Sequence, residues 1–170
     1  AYLKLGYHAP ALGDADFFPM LILDAVLTGA KGVNLWASFR TPPPQRSARL
    51  YRALVNAGLA SSVNAGLVPT QDPFLYTISV TATEGTPLAR LEEAARAELE
   101  RVRLHGITGT ELVRARNQLR ARLVFENDSI TNIGHQLGYF ETIASWRILQ
   151  SLRERIDAVD VEQVAAVAAA

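Results

Sequence analysis

The feature that most constrains this chain is a pair of segments with strand-like alternation around one short turn. In FLYTISVTAT, residues 74–83, mainly large apolar residues alternate with mainly hydroxyl-bearing ones. A period of two predicts a strand with one buried face and one polar face. LASSVNAGLV, residues 59–68, comes before the turn from Pro69 to Pro73. The two segments therefore predict an antiparallel hairpin.

The residues before the hairpin predict one more strand and two helices. YLKLGYHAP suits a strand that closes at Pro10, and the almost wholly apolar stretch up to Gly29 suits a buried helix. We expect Asp14 or Asp16 to cap that helix. A short amphipathic helix then ends at Gly58, directly before the hairpin.

The residues after the hairpin predict helices only. Their apolar residues repeat with the period of a helix, and Thr108 with Glu111 has the spacing of a capping box. The predicted helices run from Thr86-Pro87 to Gly106, from Thr108 through RARNQLRAR, over 130–143, over 146–156, and from Asp160, capped with Gln163. We expect the arginines at 114, 116, 120 and 122 to point outward. Locally paired strands with helices on one face predict an α+β fold, an antiparallel sheet backed by helices.

Composition excludes several classes of protein. Lys+Arg and Asp+Glu both number 17, so the balanced charge gives no reason to expect nucleic acid or a membrane as partner. The longest apolar run, 17–27, contains Pro19 and Asp24 and is too short to span a bilayer. The absence of Cys excludes disulfides, thiolate metal sites and a Cys nucleophile, but it leaves the compartment open between bacterial periplasm and cytoplasm.

Length favours a single domain over residues 1–170. Because the sequence ends on AAVAAA within a helical pattern, we expect a piece of a longer polypeptide, with any targeting segment outside it. Residues 30–46 predict a loop insertion, since three consecutive prolines interrupt any helix or ladder. Trp36 and Phe39 in this loop are either anchors, the favoured interpretation, or part of a binding patch.

A search for catalytic chemistry finds scattered residues. His8, His105 and His135 are too far apart in sequence for one helical face to present two imidazoles to a metal. The carboxylate pairs are explained by helix starts and solvated faces, and Ser61 and Ser62 lack a nucleophile-elbow motif. We therefore predict no catalytic and no metal-binding residue in this sequence.

The order of its motifs resembles the insulinase/pitrilysin-type zinc metallopeptidases, relatives of the mitochondrial processing peptidases. The resemblance covers nearly the whole chain. It is carried by YLKLGYHAPALGDADFFPMLILDAVL, by SARLYRALVNAGLASSVNAG, by the stretch from FLYTISVTAT to RARNQLRARLVF with its T-x-x-E-L helix, and by the closing LRERIDAVDVEQVAAVAAA.

The resemblance implies a division of labour between two similar domains. One domain of the family carries an H-x-x-E-H zinc motif, which is absent here, so this chain resembles the non-catalytic partner half. Zinc is then expected in the partner domain, and the partners are a catalytic sister domain and an extended peptide. The family's Arg and Tyr contacts fall at or near Val55 and at Ser61, where neither residue matches. Ser61, Ser62 and Asn64 remain as peptide-binding residues, although solvated serines are the commoner outcome.

Three functions stay open on these grounds. The leading hypothesis is a non-catalytic domain that completes the peptide-binding chamber of a zinc endopeptidase. The alternative is an inactive scaffold of the same family, with which the missing Arg and Tyr agree. A third hypothesis is an unrelated small-ligand domain, with Trp36 and Phe39 lining its pocket.

Overall fold

The computed structural model describes residues 1–33, 45–126 and 129–170, without the side chains of residues 125 and 126. Most of the predicted 30–46 loop, including Trp36 and Phe39, lies outside the described residues. The strands are β1 (Tyr2–Ala9), β2 (Ala60–Gly66) and β3 (Phe74–Ala82). The helices are α1 (Phe17–Thr28), α2 (Leu88–His105), α3 (Gly109–Glu126), α4 (Ile130–Ile143), α5 (Ile148–Ala158) and α6 (Val161–Ala169), and a short π-helix (Tyr51–Val55) lies before β2.

The three strands form one antiparallel sheet in the order β1-β3-β2. This arrangement confirms both the predicted hairpin and the predicted α+β fold. Because β3 is central, its residues 77–81 have a partner on both sides, and β1 and β2 are the two edges. The short helix before β2 also forms, but it winds as a π-helix, in which Asn56 N donates to Tyr51 O at 3.1 Å.

The core lies between one face of the sheet and the helices. Tyr76, Ile78 and Val80 point from β3 into it and are at most 2% exposed. Every residue of α1 is buried, because this helix packs against β2 on one side and against α3, α5 and α6 on others. A helix surrounded in this way needs no polar face, which explains its almost unbroken apolar sequence.

Asp24 is a buried charge inside this core. Its carboxylate accepts hydrogen bonds from the Tyr76 hydroxyl at 2.9 Å and the Thr28 hydroxyl at 3.0 Å. Lys31 Nζ donates to both carboxylate oxygens, at 2.9 and 2.8 Å. Burial, and then the neighbouring Asp24 carboxylate, raise the pKa of Tyr76 well above its usual value. The network ties α1 to the central strand and satisfies a charge that would otherwise be costly to bury.

The helix ends show which capping predictions hold. The capping boxes of Thr108 with Glu111 and of Asp160 with Gln163 are both present. Neither Asp14 nor Asp16 caps α1 through its side chain: Asp16 has no side-chain cap bond, and Asp14 Oδ2 instead accepts from Ala11 N at 2.8 Å.

One sequence-based expectation about exposure is wrong. Arg116 does not point outward: it donates to the Val159 carbonyl oxygen, and its Nε atom is buried. Arg120, partly exposed, pairs with Asp157 of α5 at 2.8 Å. Phe74 pairs with the buried Ala9 and so lies on the apolar face of β3 as predicted, but its side chain is 56% exposed because it stands at the end of the sheet. Among the described helices, none combines the length and the apolar character needed to cross a membrane.

Removing groups from the Asp24 network tests how much the core depends on it. We expect Tyr76→Phe to lower the free energy of unfolding by about 1–2 kcal/mol, since it removes a hydrogen bond to a charged group. We expect Asp24→Leu to cost about 3–5 kcal/mol, because the Lys31 ammonium loses its partner. Urea denaturation followed by circular dichroism measures both. Tyr2→Phe, at a 59% exposed position, is the matched control and should change nothing. Equal effects of Y76F and Y2F would contradict the role given to Asp24.

Candidate functional site

The second face of the sheet is not covered by any helix of the described chain. We call it the open face. Its members alternate with the core residues along each strand and are exposed or half-buried. They are Tyr2, Lys4, Gly6 and His8 of β1, Ser62, Asn64 and Gly66 of β2, and Leu75, Thr77, Ser79 and Thr81 of β3.

Strand register arranges these side chains in rows across the sheet. Ser79 is the partner of Lys4 on one side and of Asn64 on the other. Thr81 in the same way lies between Tyr2 and Ser62. Directly paired residues share a face and have side chains within contact range. The open face therefore presents ammonium, hydroxyl and amide groups side by side.

A third row on the open face lacks large side chains. Thr77 is paired with Gly6 on β1 and with Gly66 on β2. A Cβ added at Gly6 would meet nothing within 4 Å, and one at Gly66 would come within 3.5 Å of the Thr77 hydroxyl oxygen. Glycine in a strand allows another backbone to approach closely. This row is therefore lower than the neighbouring rows on both sides of the Thr77 side chain, and we call it the depression.

The three predicted peptide-binding residues occupy two different environments. Ser62 and Asn64 belong to the open face, as their pairing with Thr81 and Ser79 requires. Ser61 is the extra residue of a β-bulge between Ala60 and Ser62, and its hydroxyl donates to the Thr81 carbonyl oxygen at 3.3 Å. Ser61 is exposed but already engaged with β3. The structure thus brings Ser62 and Asn64 together and sets Ser61 apart from them.

The entry into β2 is fixed by a tight turn after the π-helix. Gly58 has φ +74°, a conformation that glycine adopts without strain, and its N–H donates to Val55 O at 3.0 Å. Leu59 N donates to Leu54 O at 2.9 Å, and Thr83 N donates to Leu59 O at 3.0 Å. This chain of bonds sets where β2 begins and therefore which of its residues reach the open face.

An ion pair attaches the same region to the helices. Arg49 donates through Nε and Nη2 to the two oxygens of Glu111, both at 2.7 Å, and through Nη2 to Gly106 O at 3.3 Å. Glu98, almost fully buried, lies 3.8 Å from Arg49 Nη1. A bidentate pair of this kind is directional as well as strong. It holds the residues before the π-helix against the junction between α2 and α3.

Glu111 also caps α3, so one carboxylate takes part in both the ion pair with Arg49 and the capping box with Thr108. Its Oε2 accepts from Thr108 N at 2.8 Å and from the Thr108 hydroxyl at 3.0 Å. The hydrogen bond from Arg49, and after it those of Thr108, lower the pKa of Glu111 from 4.5 to about 2, although partial burial works in the other direction. The carboxylate is consequently ionised at all physiological pH values.

The candidate metal ligands are scattered in the part of the chain described. No three His, Cys, Asp or Glu side chains there are close enough to hold a metal ion. His8 belongs to the open face, His105 ends α2 and His135 lies in α4. A groove of about 1400 Å³ opens beside β1, between α1, α2 and the end of α6. Its walls are largely apolar, with Met20, Leu23 and Leu99 among them, and charged residues such as Glu92 and Arg96 line it as well.

These features define a class of protein: a helix-backed α+β domain with an uncovered polar sheet face. The sequence profile of the peptidase M16 inactive domain matches residues 1–119. The chain belongs to the peptidase M16 inactive-domain family, which confirms the resemblance to the non-catalytic half of the insulinase/pitrilysin-type peptidases. No curated protein matches the sequence.

Solved structures share the fold. An inactive peptidase domain from Bordetella parapertussis is 24% identical, with a TM-score of 0.78 over 99% of this chain and 84% of its own. A protease from Helicobacter pylori is 18% identical, with a TM-score of 0.82 over 98% of this chain. A peptidase M16 inactive domain from Pseudomonas fluorescens is 19% identical, with a TM-score of 0.77 over 99%. This chain spans only 37% and 36% of the last two.

Sequence reasoning predicted the polar face of β3 but did not assign it, or any residue of β1, to the candidate site. The isolated Gly6 within YLKLGYHA was a usable signal, because glycine inside a strand often marks a close backbone approach. Its alignment with Thr77 and Gly66 depends on strand register, which the bulge at Ser61 shifts. The partnership of Arg49 with Glu111 had no local signal, since 62 positions separate the two residues.

The depressed pKa of Glu111 predicts how the domain responds to acid. A carboxylate with a lowered pKa stabilises the folded state above pH 4.5, and this contribution is lost as pH falls from about 4.5 towards 2. We expect Glu111→Gln to lower the free energy of unfolding by about 2 kcal/mol at pH 7 and to make its loss between pH 4.5 and 2 shallower. Urea titrations across this pH range measure both effects.

The matched control is Glu100→Gln, which removes an ion pair to Arg103 between half-exposed side chains on α2. Exposed pairs are screened by solvent, so this variant should change stability far less than E111Q. Identical acid profiles for E111Q and the unmodified chain would show that Glu111 does not carry this contribution.

Proposed function

We propose that this domain is the non-catalytic half of a zinc-dependent peptidase and that its open face forms one wall of a chamber for an extended peptide. The observation that carries the proposal is a polar sheet face left uncovered by the described helices, in a chain of the M16 inactive-domain family. A face of hydroxyl and amide groups suits the repeated N–H and C=O groups of an extended chain.

A catalytic sister domain, in the same or a paired chain, would supply the zinc ion and the water that attacks the peptide bond. The parent of the Bordetella parapertussis domain is described as a candidate zinc protease, and the Helicobacter pylori protease chain is much longer than this one. The described part of this chain groups no metal ligands. Its own contribution is therefore to bind and orient the peptide and to exclude water around it.

Ser62 and Asn64 are the residues we assign to peptide binding on β2, with a lesser role for Ser61. The Asn64 amide can donate and accept at once, so it can bond both groups of one peptide unit. The Ser61 hydroxyl donates to Thr81 O and keeps only its lone pairs for a ligand. Val55 and Ser61 stand where the family's Arg and Tyr are expected, so charge stabilisation during cleavage does not come from these positions.

The substitutions at Val55 and Ser61 also favour a second candidate, an inactive scaffold that only contacts its sister domain. The two functions differ in what the open face does. A chamber wall binds peptide through Ser62 and Asn64, whereas a scaffold needs neither side chain.

A peptide titration followed by amide NMR spectra of the 170-residue domain tests the proposal. We expect a twelve-residue peptide of Ser, Thr, Val and Gly to shift signals of Thr77, Ser79 and Asn64. We expect Asn64→Ala to weaken binding about threefold to tenfold, the worth of one hydrogen bond of about 0.5–1.5 kcal/mol. Asn56→Ala, at an exposed asparagine outside the strands, is the control and should bind as the unmodified chain does. Shifts confined to other surfaces would favour the scaffold.

A further inference from the structure

We infer that the open face selects extended peptides that carry carboxylates and discriminates against peptides rich in Lys and Arg. This inference rests on the proposed function and names its substrate class. The observation behind it is charge: none of the three strands contains Asp or Glu, although the chain has 17 of them. The ionisable side chains of the open face are Tyr2, Lys4 and His8.

Lys4 is the cation that a carboxylate would meet. Its side chain is exposed, and within residues 1–33, 45–126 and 129–170 it forms no ion pair. The other lysine of the chain, Lys31, is fully engaged with Asp24 at 2.8 Å. Lys4, Ser79 and Asn64 form one row across the three strands, with Ser79 in the middle. The row therefore has an ammonium group at one end, followed by a hydroxyl and an amide. Such a row can bind a carboxylate through charge and through hydrogen bonds together.

The closest carboxylates in sequence lie beyond the ends of β3. Asp72 precedes the strand, and Glu84 follows it. Ser79, the partner of Lys4, is three residues from the end of β3 at Ala82, a distance of about 10 Å in an extended strand. That distance exceeds the Debye length of about 8 Å at physiological ionic strength. Neither of these two carboxylates therefore neutralises the centre of the open face. Glu92 of α2 lines the groove that reaches Gly6 and His8, and there it is paired with Arg96 at 2.8 Å.

The depression of Gly6, Thr77 and Gly66 gives the peptide a place to lie. A peptide backbone that lies over this row has the row of Lys4 on one side. The row of His8 and Leu75 lies on its other side. Glutamate or aspartate side chains of the peptide can then reach the Lys4 ammonium. A lysine or arginine at the same position would face Lys4 without any carboxylate partner, which costs free energy. One lysine neutralises too few phosphates for nucleic acid to be the better occupant.

Three peptides of about twelve residues that differ only in Glu, Gln or Lys at three positions test this inference. Each is titrated into the domain at low salt, with amide NMR shifts of open-face residues as the readout. We expect the Glu peptide to bind about fivefold more tightly than the Lys peptide, the size of an exposed charge contribution of about 1 kcal/mol. Sodium chloride at about 0.5 M should remove most of that difference.

Variants at position 4 assign the preference to its cause. Lys4→Glu should reverse the order of the Glu and Lys peptides, Lys4→Gln should abolish the preference, and Lys4→Arg should keep it. The matched control is Arg90→Glu, the same charge change at an exposed residue of α2, which should leave the order unchanged. Lys4 is exposed, so these variants should fold, and circular dichroism checks that they do.

The outcomes separate this inference from the proposed function. Equal affinity for all three peptides, with shifts still on the open face, would overturn the charge preference. It would not contradict the proposal that this face binds an extended peptide. An equal effect of R90E and K4E would also overturn it, because net charge and not Lys4 would then be responsible. Shifts away from the open face, or no binding of any peptide, would overturn both.

Discussion

Antiparallel pairing of the central strand on both sides governs the two surfaces of this domain. Residues of β3 that point one way, Tyr76 and Ile78 among them, pack under the helices, while Thr77 and Ser79 point to the open face. Because side chains alternate strictly, the register that seals the core also aligns Lys4, Ser79 and Asn64 across three strands. A slip of one residue in either pairing would expose apolar side chains and bury polar ones. The free energy gained by burying the apolar face therefore also fixes the rows of the open face.

Two sequence motifs that carry the family resemblance contact each other in the folded chain. Arg49 belongs to SARLYRALVNAG and Glu111 to the T-x-x-E-L helix, and they form a bidentate ion pair at 2.7 Å. Glu111 at the same time closes the capping box of Thr108. The motifs therefore encode a joint between the segment that leads into β2 and the turn between two helices. The joint itself needs no catalytic group, since it consists of one ion pair and one capping box.

Local patterns predicted the strands, the helices and two caps because those features depend on residues near in sequence. FLYTISVTAT contains both faces of β3 in its alternation, and Thr108 with Glu111 is a contact over three positions. The prediction that failed involves a distant partner: the half-buried Arg116, expected to point outward, bonds to Val159. The bond between Asp24 and Tyr76 also joins distant residues, and no local pattern indicated it. Within the candidate site, Ser62 and Asn64 could be predicted from the sequence of β2 alone. Their neighbours Lys4, Ser79 and Thr77 required the register of all three strands, which the bulge at Ser61 displaces by one residue.

The cations that stabilise the fold differ from the cation of the open face in whether they have a carboxylate partner. Lys31 and Arg49 are largely buried, and each has a carboxylate partner within 3 Å, as a cation removed from water requires. Lys4 is exposed, has no such partner within the described residues, and stands on a face whose strands contain no carboxylate. Water solvates an exposed ammonium of this kind while the face is open. When a peptide covers the face, that water is displaced, and a carboxylate on the peptide is the group that can replace it at the lowest cost. In the proposed complex, selection of the peptide needs only a charge that is solvated in the free domain and paired with a carboxylate in the bound one.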